Sequence, residues 1–556
     1  MTKLERLKDI KSLTELALLL GFKPKMLSYI LYVMPNTEKY YESFSIPKKS
    51  GGMRTINAPN EKLKLVQKRL ANLLYDCYDE IIKSKDGKTR LSHGFSRRCS
   101  IFTNSLKHCK KRYVFNIDLK DFFPSINFGR VRGYFINDKY FKLNENIATI
   151  IAKIACFNNE LPQGSPVSPI ISNLIGNILD ARIIKLSKEE KCFYSRYADD
   201  LTFSTTNKQF PNSIAFKKDN HWIIGEKLKR VIENAGFNIN QSKISMQYKS
   251  SRQTCVGLIV NKKVNVKKEY YKNVRAMCDN LLKNNKFFIS KDDENNSIFQ
   301  LEGMINFIYS IKRKYDKQGM KTRNNKPNAI TNLYRKFLFF KYFINIDKPV
   351  IFTEGKSDII YLKYALRKMM DNYPSLIEKK EGKHCFNIKF FKSSKLFRDV
   401  FAIAEGTSGL NNLMNYYKTN FKYFKLPKLY KPIIFLFDND EGTEEIRKLL
   451  KIENKELKDM YEHFFMQIYA LFVGKGKNTR IEDLFDKKTL NIEIDSKKFE
   501  PDDKKKDNDK NYGKHIFSRK VILPNYEKIN FENFKPIFDS ILEIMSKSNE
   551  NLIDNI

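Results

Sequence analysis

Acidic residues are few relative to basic ones in this sequence, and this imbalance is its strongest compositional feature. Its 556 residues include 63 Asp and Glu against 102 Lys and Arg, which leaves a formal net charge of +39. So large an excess of one sign opposes a compact state unless a polyanion lies near. The charge therefore favours a nucleic-acid partner, although a lysine-rich proteome would also contribute to it.

Paired cysteines and long apolar runs are missing as well. The eight cysteines are scattered without a C-x-x-C pair, so the sequence predicts neither a zinc site nor a disulfide framework. No run approaches the ~18–20 apolar residues of a membrane span, and the N-terminus lacks the apolar centre of a signal peptide. We therefore expect reduced thiols, no membrane partner and a cytoplasmic location. The length predicts two or more domains.

Two of the acids that are present lie side by side in a predicted hairpin turn. The segment YADD at 197–200 lies between runs at 192–196 and 201–204 that are typical of β-strands. Neighbouring strand residues point to opposite faces, so Asp199 and Asp200 approach one site only where the chain turns. Carboxylates this close repel unless cations lie between them, which indicates a divalent metal. A solvent-exposed acidic turn is the alternative.

Two further segments accompany this turn. The segment NIDLKDFFPS at 116–125 is a predicted strand that carries Asp118 and ends at an aromatic pair and a proline. The segment LPQGSPVSP at 161–169 opens a predicted helix through Ile178. In this order, the three segments resemble the palm motifs of reverse transcriptases. The resemblance implies an α+β right-hand polymerase with fingers, palm and helical thumb.

Shorter elements narrow the resemblance to the reverse transcriptases of retrons. The segment NSLKH at 104–108 differs by one residue from the Asn-Ala-x-x-His element of that family, and VGL at 256–258 resembles its Val-Thr-Gly element. The partners implied are a cognate structured noncoding RNA, its RNA–DNA product and dNTPs. The resemblance implies RNA contacts for four residues, Asn104, His108, Val256 and Gly257.

By the same resemblance, Asp118 and Asp199 are the principal ligands of two magnesium ions, and Asp200 is a less direct partner. Nucleotidyl transfer needs an ionised attacking hydroxyl and compensation of the charge on the phosphoryl oxygens. Two Mg²⁺ ions about 4 Å apart supply both. All-oxygen ligation suits magnesium, and no histidine or cysteine accompanies these acids.

Register with the family implies that four residues contact the incoming nucleotide: Arg54, Phe123, Gln163 and Lys243. Arg54 lies in a predicted basic hairpin that resembles the fingers, and a solvated hairpin is the alternative. Phe123 would block a ribose 2′-hydroxyl, although at least one of Phe122 and Phe123 is expected to be a core residue. Lys243 would protonate the leaving pyrophosphate, and an ordinary surface lysine is the alternative.

A second resemblance covers the C-terminal part of the chain. The segments IFTEGKSD at 351–358 and FLFDND at 435–440 are similar to the acidic motifs of a Toprim domain. Glu354 ends one predicted strand, and Asp438 and Asp440 end another. In a parallel sheet such strand ends meet at a common edge, where the three carboxylates would hold one or two magnesium ions. An Asx-rich turn that caps a helix is the alternative for the second motif.

Downstream elements resemble those that follow the Toprim core in overcoming-lysogenization-type nucleases. They are IEDLF at 481–485, which contains Glu482, and YGKHIF at 512–517, in which Lys514 would stabilise transition-state charge. The resemblance implies a metal-dependent nuclease whose substrate is a nucleic acid. A Toprim region that only binds nucleic acid is one alternative, and an intron-type reverse transcriptase is another.

The chain as a whole is similar to a retron reverse transcriptase–Toprim fusion. Fingers and palm are expected at 1–265, a helical thumb at 266–346, and an α/β Toprim-type domain with a mostly parallel sheet and a C-terminal extension at 347–556. Strands of that sheet are predicted at 350–353, 387–391, 401–404 and 433–437. The family would prime on a 2′-hydroxyl of its RNA, leave branched multicopy single-stranded DNA, and use the nuclease as an effector in antiphage defence. The oligomeric state stays open, a homo-oligomer included.

Overall fold

The computed structural model describes most of the chain, and the described residues form two compact units. The units are Met1–Lys268 and Glu269–Ile556, and each contains its own hydrophobic core. The described residues are 1–33, 40–48, 51–84, 92–289, 297–316, 327–404, 406–424, 431–452, 457–476, 478–502, 507 and 509–553.

The first unit combines a central antiparallel sheet with surrounding helices. Its helices are α1 Lys3–Asp9, α2 Leu13–Leu19, α3 Pro24–Ser28, α4 Glu61–Ser84, α5 Ile101–Leu106, α6 Phe128–Asn137, α7 Glu145–Ala155, α8 Ser168–Glu189 and α9 Glu226–Glu233. Its strands are β1 Tyr41–Pro47, β2 Met53–Pro59, β3 Tyr113–Lys120, β4 Phe193–Tyr197, β5 Asp200–Thr205, β6 Ala215–Lys218, β7 His221–Ile224, β8 Asn238–Ile239, β9 Ser245–Tyr248, β10 Thr254–Cys255 and β11 Leu258–Ile259.

Strand β3 is the centre of this sheet. The strand order is β4-β5-β3-β8, and β9 also pairs with β3, with every pairing antiparallel. Apolar residues of β3 are buried on both faces: Phe115, Ile117 and Leu119 lie in the main core, and Val114 packs with Cys255 and Val260. Helix α8 runs past the predicted end at Ile178 to Glu189, since residues as far along as Leu186 are still buried in the core. Strands β1 and β2 form the predicted hairpin.

The N-terminal helices break at a glycine and a proline. Helix α2 ends before Gly21, which adopts a φ of +73°, and Pro24 opens α3. Within the described ranges, no single helix is both long and apolar enough to cross a membrane. The helical stretches Leu13–Leu19 and Pro24–Val33 meet that criterion only as a pair, and they are bent by 111° relative to each other.

The second unit is an α/β fold. Its helices are α10 Lys268–Asn284, α11 Ile298–Arg313, α12 Ala329–Phe339, α13 Lys356–Lys368, α14 Lys395–Phe401, α15 Thr407–Asn420, α16 Glu444–Leu450, α17 Lys487–Leu490, α18 Lys514–Ile516, α19 Leu523–Asn525 and α20 Lys535–Ile553. Its strands are β12 Val350–Thr353, β13 Ile377–Lys380, β14 Lys383–Phe386, β15 Lys389–Phe391, β16 Ile433–Phe437, β17 Tyr461–Phe465, β18 Ile468–Phe472, β19 Lys498–Phe499 and β20 Asn511–Tyr512.

The main sheet of this unit is mostly parallel and has the order β15-β12-β16-β18-β17. Strands β15, β12, β16 and β18 pair in parallel, and β17 pairs antiparallel at one edge. Phenylalanine rings connect helix α12 to this sheet. Phe343 stacks on Phe352 of β12 at 5.1 Å between centroids, and Phe352 stacks on Phe435 of β16 at 4.8 Å. The segment Phe340–Ile344, which continues from α12, therefore packs against the strands whose ends carry the acidic motifs.

The strand predicted at 401–404 is wrong, because Phe401 is the last residue of helix α14. Ser394 caps this helix by accepting a hydrogen bond from the amide of Phe397, and the helix ends at Ala402 in a left-handed conformation with φ 56°. A short apolar run does not distinguish a strand from a buried helix end. Here Phe397 and Phe401 are buried four residues apart, as on one face of a helix.

Candidate active sites

The three acids predicted for the polymerase site come together where strands β3 and β5 of the first unit's sheet meet the β4–β5 turn. Asp118 on β3 lies opposite Asp200 on β5, and Asp199 occupies the turn between β4 and β5. Ala198 takes a left-handed φ of 56° to make this turn. The carbonyl oxygen of Asp199 accepts a 3.0 Å hydrogen bond from the amide of Leu119. Strand register thus brings residues distant in sequence to one position.

The charges of these acids are strongly coupled. Burial raises the pKa of Asp200 to about 7, and the neighbouring charges of Asp199 and Asp118 add to the shift. Burial and Asp118 also raise the pKa of Asp199, while Lys243 and Arg54 oppose that shift. Neighbouring carboxylates that repel one another in this way are stabilised by cations.

Lys243 lies at this acidic site. Its Nζ is 2.9 Å from Oδ2 of Asp118, and this contact raises the pKa of the lysine. The preceding Asn240 donates its amide to the carbonyl oxygen of Asp118 at 2.8 Å, which anchors the loop that presents the lysine. Lys243 is therefore one of the predicted residues that the fold brings together with Asp118.

The predicted nucleotide residues Arg54 and Gln163 lie on two segments that contact each other. Arg54 is exposed on β2, and the carbonyl oxygen of Gln163 accepts a 2.8 Å hydrogen bond from Asn57 of the same strand. The next residue, Gly164, has a φ of +126°, and a Cβ there would lie 2.6 Å from the oxygen of Asn57. Glycine is therefore required where this loop meets the hairpin.

The two adjacent phenylalanines separate into a core residue and a half-buried residue. Phe122 is buried and stacks on Phe237 at 5.5 Å. Phe123 is half-buried and contacts Phe95 at 6.0 Å between ring centroids. Of the two, Phe123 is therefore the ring with a surface available to a ligand.

Two of the four residues predicted to contact RNA are enclosed in the protein. Asn104 donates to Sγ of Cys255 at 3.2 Å, and the ring nitrogens of His108 bond to the hydroxyls of Ser204 and Ser195 at 2.8 and 2.7 Å. The side chains of Asn104 and His108 are fully buried. Direct contact of these two side chains with RNA is therefore inconsistent with the structure, and they instead support the sheet.

The other two predicted RNA-contacting residues are accessible. Val256 is half-buried and Gly257 is exposed, and both adopt left-handed conformations in the turn between β10 and β11. The buried Cys255 that precedes them accepts the hydrogen bond of Asn104. The hydrogen bond between Asn104 and Cys255 therefore anchors the buried side of the turn, and Val256 and Gly257 lie on its accessible side.

Two buried residues beside the YADD turn escaped prediction. Arg196, immediately before the YADD segment, donates from Nη1 to the carbonyl oxygen of Ala198 at 3.1 Å. It is paired with Asp180 of helix α8, which also accepts a hydrogen bond from Tyr194. An arginine within an otherwise buried strand, next to the turn, is the sequence signal that could have identified this pair.

The acids of the second unit flank a reversal in strand order. The chain leaves β12 toward β15 on one side and then crosses over to β16 on the other side. In open α/β sheets, ligands bind at such a switch point, outside the carboxyl ends of the strands. Glu354 follows β12 and Asp438 follows β16, and the amide of Asp438 donates to Oε1 of Glu354 at 3.1 Å.

Hydrogen bonds fix the orientation of these carboxylates. Thr407 donates to Oε2 of Glu354 at 2.7 Å, and Oδ1 of Asp438 accepts from the amide of Ile481 at 2.9 Å. Asp440 instead accepts from the amide of Gly442 at 2.9 Å and so caps the following turn. The alternative of a capping Asx turn thus describes Asp440, while the carboxylate of Asp438 is held by the amide of Ile481.

Burial leaves this second acidic group difficult to ionise fully. It raises the pKa of Asp438 to about 8, with repulsion from Glu354 as the next cause, and it raises the pKa of Glu354 to about 7. Burial also raises the pKa of Asp358, which accepts a 2.8 Å hydrogen bond from the amide of Gly355. A cation bound near these groups would stabilise their charged forms.

Lys514 pairs with Glu482 in the structure, although the two residues lie in separate sequence segments. The Nζ of Lys514 is 2.9 Å from Oε2 of Glu482, whose side chain is 1% exposed. The positive charge of Lys514 also acts on Asp438 and Asp358, where it opposes the rise in their pKa values. The fold therefore joins the downstream motifs to Asp438.

Both acidic groups match the donor chemistry of magnesium, which prefers carboxylate oxygens. Over the described part of the chain, no three His, Cys, Asp or Glu side chains are already close enough to hold a metal ion. In each group a lysine pairs with one acid: Lys243 with Asp118, and Lys514 with Glu482. The residues of both sites fit a magnesium ion by their chemistry.

Comparisons with known proteins agree with the first of these sites. The family model described as "Reverse transcriptase (RNA-dependent DNA polymerase)" matches residues 46–269, which include all three palm acids. Retron Ec86 reverse transcriptase of Escherichia coli is 32% identical over 49% of this chain and 77% of its own length. Retron Mx162 reverse transcriptase of Myxococcus xanthus is 30% identical over 54% of this chain and 64% of its own length.

Likeness to solved structures is weaker. A telomerase from Candida albicans, solved in complex with a fragment of telomeric RNA, covers 55% of this chain and 62% of its own with 11% identity. Its TM-score of 0.32 is too low to support an argument. The sequence relationships are decisive: the chain belongs to the family of retron reverse transcriptases, which are RNA-directed DNA polymerases that use magnesium.

Proposed function

We propose that this protein has two activities: it copies a structured noncoding RNA into DNA in its first unit and hydrolyses nucleic acid in its second. The proposal for the first unit rests on Asp118, Asp199 and Asp200 at one sheet edge, with Lys243 paired to Asp118. The three acids would hold magnesium, which offsets charge on the phosphoryl oxygens and favours ionisation of the attacking hydroxyl.

The chain's own residues supply the rest of the polymerase site. Arg54 on the hairpin would contact the triphosphate, and Gln163 would contact the nucleotide or template beside it. Phe123 would block a ribose 2′-hydroxyl with its half-buried ring. Lys243, whose pKa is raised by Asp118, is protonated at neutral pH and so has a proton available for the leaving pyrophosphate.

The product and partners follow from the family. The RNA template would be the cognate noncoding RNA, primed from one of its own 2′-hydroxyls, and the product would be branched multicopy single-stranded DNA. The outward-facing turn at Val256 and Gly257 is a candidate RNA contact. We propose that the RNA–DNA product restrains the second unit until phage infection, which makes the protein an antiphage defence system.

For the second unit we propose a Toprim-type, magnesium-dependent nuclease. The observation that carries this proposal is the hydrogen bond between Asp438 and Glu354 across the switch point of a mostly parallel sheet. Glu354, Asp438 and Asp440 would hold the metal, which polarises the scissile phosphate when bound. Lys514, held by Glu482, would stabilise negative charge on the phosphate in the transition state.

An alternative function for the second unit is nucleic-acid binding without hydrolysis. Its acidic site argues against this alternative, because buried carboxylates repel phosphate unless a cation is bound. The two possibilities differ in what happens when one acid is neutralised. A binding site would hold phosphate as well or better after the change, whereas a nuclease would lose its activity.

The decisive experiment compares Glu354→Gln with wild type, using RNA-templated DNA synthesis and nucleic-acid hydrolysis in magnesium as paired assays. We expect Glu354→Gln to lose hydrolysis and to retain DNA synthesis, because the polymerase acids lie in the other unit. Glu381→Gln is the matched control, since Glu381 is exposed in the turn between β13 and β14 of the same unit. Wild-type hydrolysis by Glu354→Gln would contradict the assignment, and binding without hydrolysis by wild type would favour the alternative.

A further inference from the structure

A cavity of about 530 Å³ opens beside Glu354 in the second unit. It lies at the carboxyl ends of β12 and β15, under the segments that lead to α14 and α15. Its volume falls within the roughly 300–1,000 Å³ of small-molecule sites. Of the three proposed metal ligands, Glu354 lines the cavity, and Asp438 and Asp440 do not. The cavity therefore lies on the Glu354 side of the proposed metal site.

Most of the charged residues that line this cavity are basic. Lys356, Lys392, Arg398 and Lys514 all line it, and among the described lining residues Glu354 is the one acid. Arg398 is braced against the wall because its Nη1 donates to both the carbonyl and the hydroxyl oxygen of Ser393, each at 3.0 Å. This charge distribution favours an anionic ligand.

The remaining wall is apolar and includes an aromatic ring. Phe391 is packed between Phe352 at 4.4 Å and Phe397 at 4.9 Å, so it is held in place. Leu410 and Leu413 are buried on the same wall. A flat apolar group would be accepted here, and a phosphate alone would leave this part of the cavity unused.

We propose that this cavity binds one nucleotide of the strand that is cleaved at Glu354, with its phosphate toward the lysines and its base against the apolar wall. The proposal rests on the proposed nuclease function, which puts the scissile phosphate at Glu354. A nucleotide combines the anionic and the flat apolar parts that the lining requires, and bases stack on such walls without regard to sequence. The cavity is therefore the subsite next to the cleaved bond.

Two pairs of variants of the full chain test the proposal by titration with a nucleoside 5′-monophosphate, the matching nucleoside and inorganic phosphate. Ala404→Trp places a large side chain at an exposed lining position, and Ser408→Trp adds the same bulk at an exposed position outside the lining. Lys392→Gln removes a lining charge, and Lys395→Gln removes an exposed charge outside the lining.

We expect wild type to bind the monophosphate roughly tenfold more tightly than phosphate, because the base adds stacking. Ala404→Trp should abolish this binding, and Lys392→Gln should weaken it roughly threefold or more. Both controls should bind like wild type. Equal affinity for monophosphate and phosphate, or unchanged binding by Ala404→Trp, would overturn the proposal.

A cleavage assay separates a strand nucleotide from a free one. Wild type should cut an oligonucleotide with one abasic position next to the cleaved bond roughly tenfold more slowly than the intact oligonucleotide. For Ala404→Trp, the difference between the two oligonucleotides should be smaller. An abasic position without effect would overturn the subsite. If wild type cleaves no nucleic acid yet binds monophosphate as described, the nuclease function fails while the nucleotide site stands. If it cleaves but binds no monophosphate, the nucleotide site alone fails.

Discussion

Arg196 and Asp180 form a fully buried ion pair with two hydrogen bonds, Nε to Oδ1 at 2.9 Å and Nη2 to Oδ2 at 2.8 Å. The remaining nitrogen of the guanidinium donates to Ala198 in the turn that presents Asp199. The side chain of Arg196 therefore connects helix α8 to the turn that presents Asp199. Gly176 makes room for it, because a Cβ there would lie 2.6 Å from Nη2 of Arg196.

Breaking this pair should lower both stability and DNA synthesis. In Asp180→Asn, Arg196 keeps a buried charge without a counter-ion, so we expect the free energy of unfolding to fall by about 3 kcal/mol or more. Arg196→Lys should also reduce synthesis, because an ammonium cannot bond to Asp180 and to the turn at once. Denaturant unfolding and primer extension on the same preparations measure the two effects.

The control for this experiment is an exposed pair in the same unit. Glu226 and Arg230 lie 3.3 Å apart on helix α9, with side chains that are mostly exposed. Arg230→Lys should change stability by less than about 0.5 kcal/mol and leave synthesis unchanged. Wild-type synthesis by Asp180→Asn in its folded state would show that the turn does not depend on the pair.

Neutralising the turn acids should abolish DNA synthesis without unfolding the protein. The double variant Asp199→Asn with Asp200→Asn removes two charges but almost no volume, so the sheet should persist. Because burial and repulsion raise the pKa of Asp200 to about 7, the loss of charge should also stabilise the metal-free protein. Primer extension and thermal unfolding measure these outcomes.

Asp219→Asn is the matched control, since Asp219 is an exposed acid in the turn between β6 and β7. It should retain wild-type synthesis. Residual synthesis by the double variant, at a level near wild type, would rule out the palm acids as the site of nucleotidyl transfer.

Binding to cognate RNA should depend steeply on salt, because the chain carries a net charge of +39. If six or more phosphates are neutralised, affinity should fall on the order of 10³-fold or more between 50 and 200 mM salt. Filter binding across a salt series gives the slope directly. A flat profile would mean that the excess of lysine and arginine is a property of composition and not of the RNA site.

The metal-free second unit should lose stability as the pH rises. Burial raises the pKa of Asp438 from an ordinary value of 3.8 to about 8, so between these values the folded state holds a proton that the unfolded state has released. Stability therefore falls from about pH 5 to about pH 8, and the decrease should be smaller in Asp438→Asn. Thermal unfolding in a chelator measures both, with exposed Asp371→Asn as the control.

Magnesium should reverse this pH effect in wild type, because a bound cation stabilises the ionised carboxylates. The same addition should have little effect on Asp438→Asn. Equal pH dependence of wild type and Asp438→Asn would show that Asp438 does not titrate in this range in the folded protein.

Much of the secondary structure near the sites could be predicted from local patterns. The strands at Val350–Thr353 and Ile433–Phe437 have the predicted bounds, because each is a short apolar run followed by turn-forming residues. The error at 401–404 arose from the same kind of run, whose helical state depends on the Ser394 cap and on packing of Phe397. The local pattern suffices to assign a strand where the length of the apolar run and its flanking residues indicate the same element. Where they indicate different elements, tertiary packing determines whether the run is a strand or a helix.

The accessibility of site residues could not be predicted in the same way. The spacing of Asn104 and His108 matches a family element, but only the packed sheet determines that their side chains are enclosed while Val256 and Gly257 face outward. Likewise, only the fold places Lys243 beside Asp118, through a loop that is anchored on β3.

The sequence by itself determined the strand ends and the hairpin turn that carry the candidate acids, because short apolar runs followed by acids and turn-forming residues produce a recognisable local pattern. The tertiary structure decided which other side chains reach them. Arg196 reaches the turn only because it is paired with Asp180 of helix α8, and Thr407 donates to Glu354 from a helix distant in sequence. The reason is physical: strand residues alternate by a local rule, whereas contacts between elements depend on register and packing across the whole sheet.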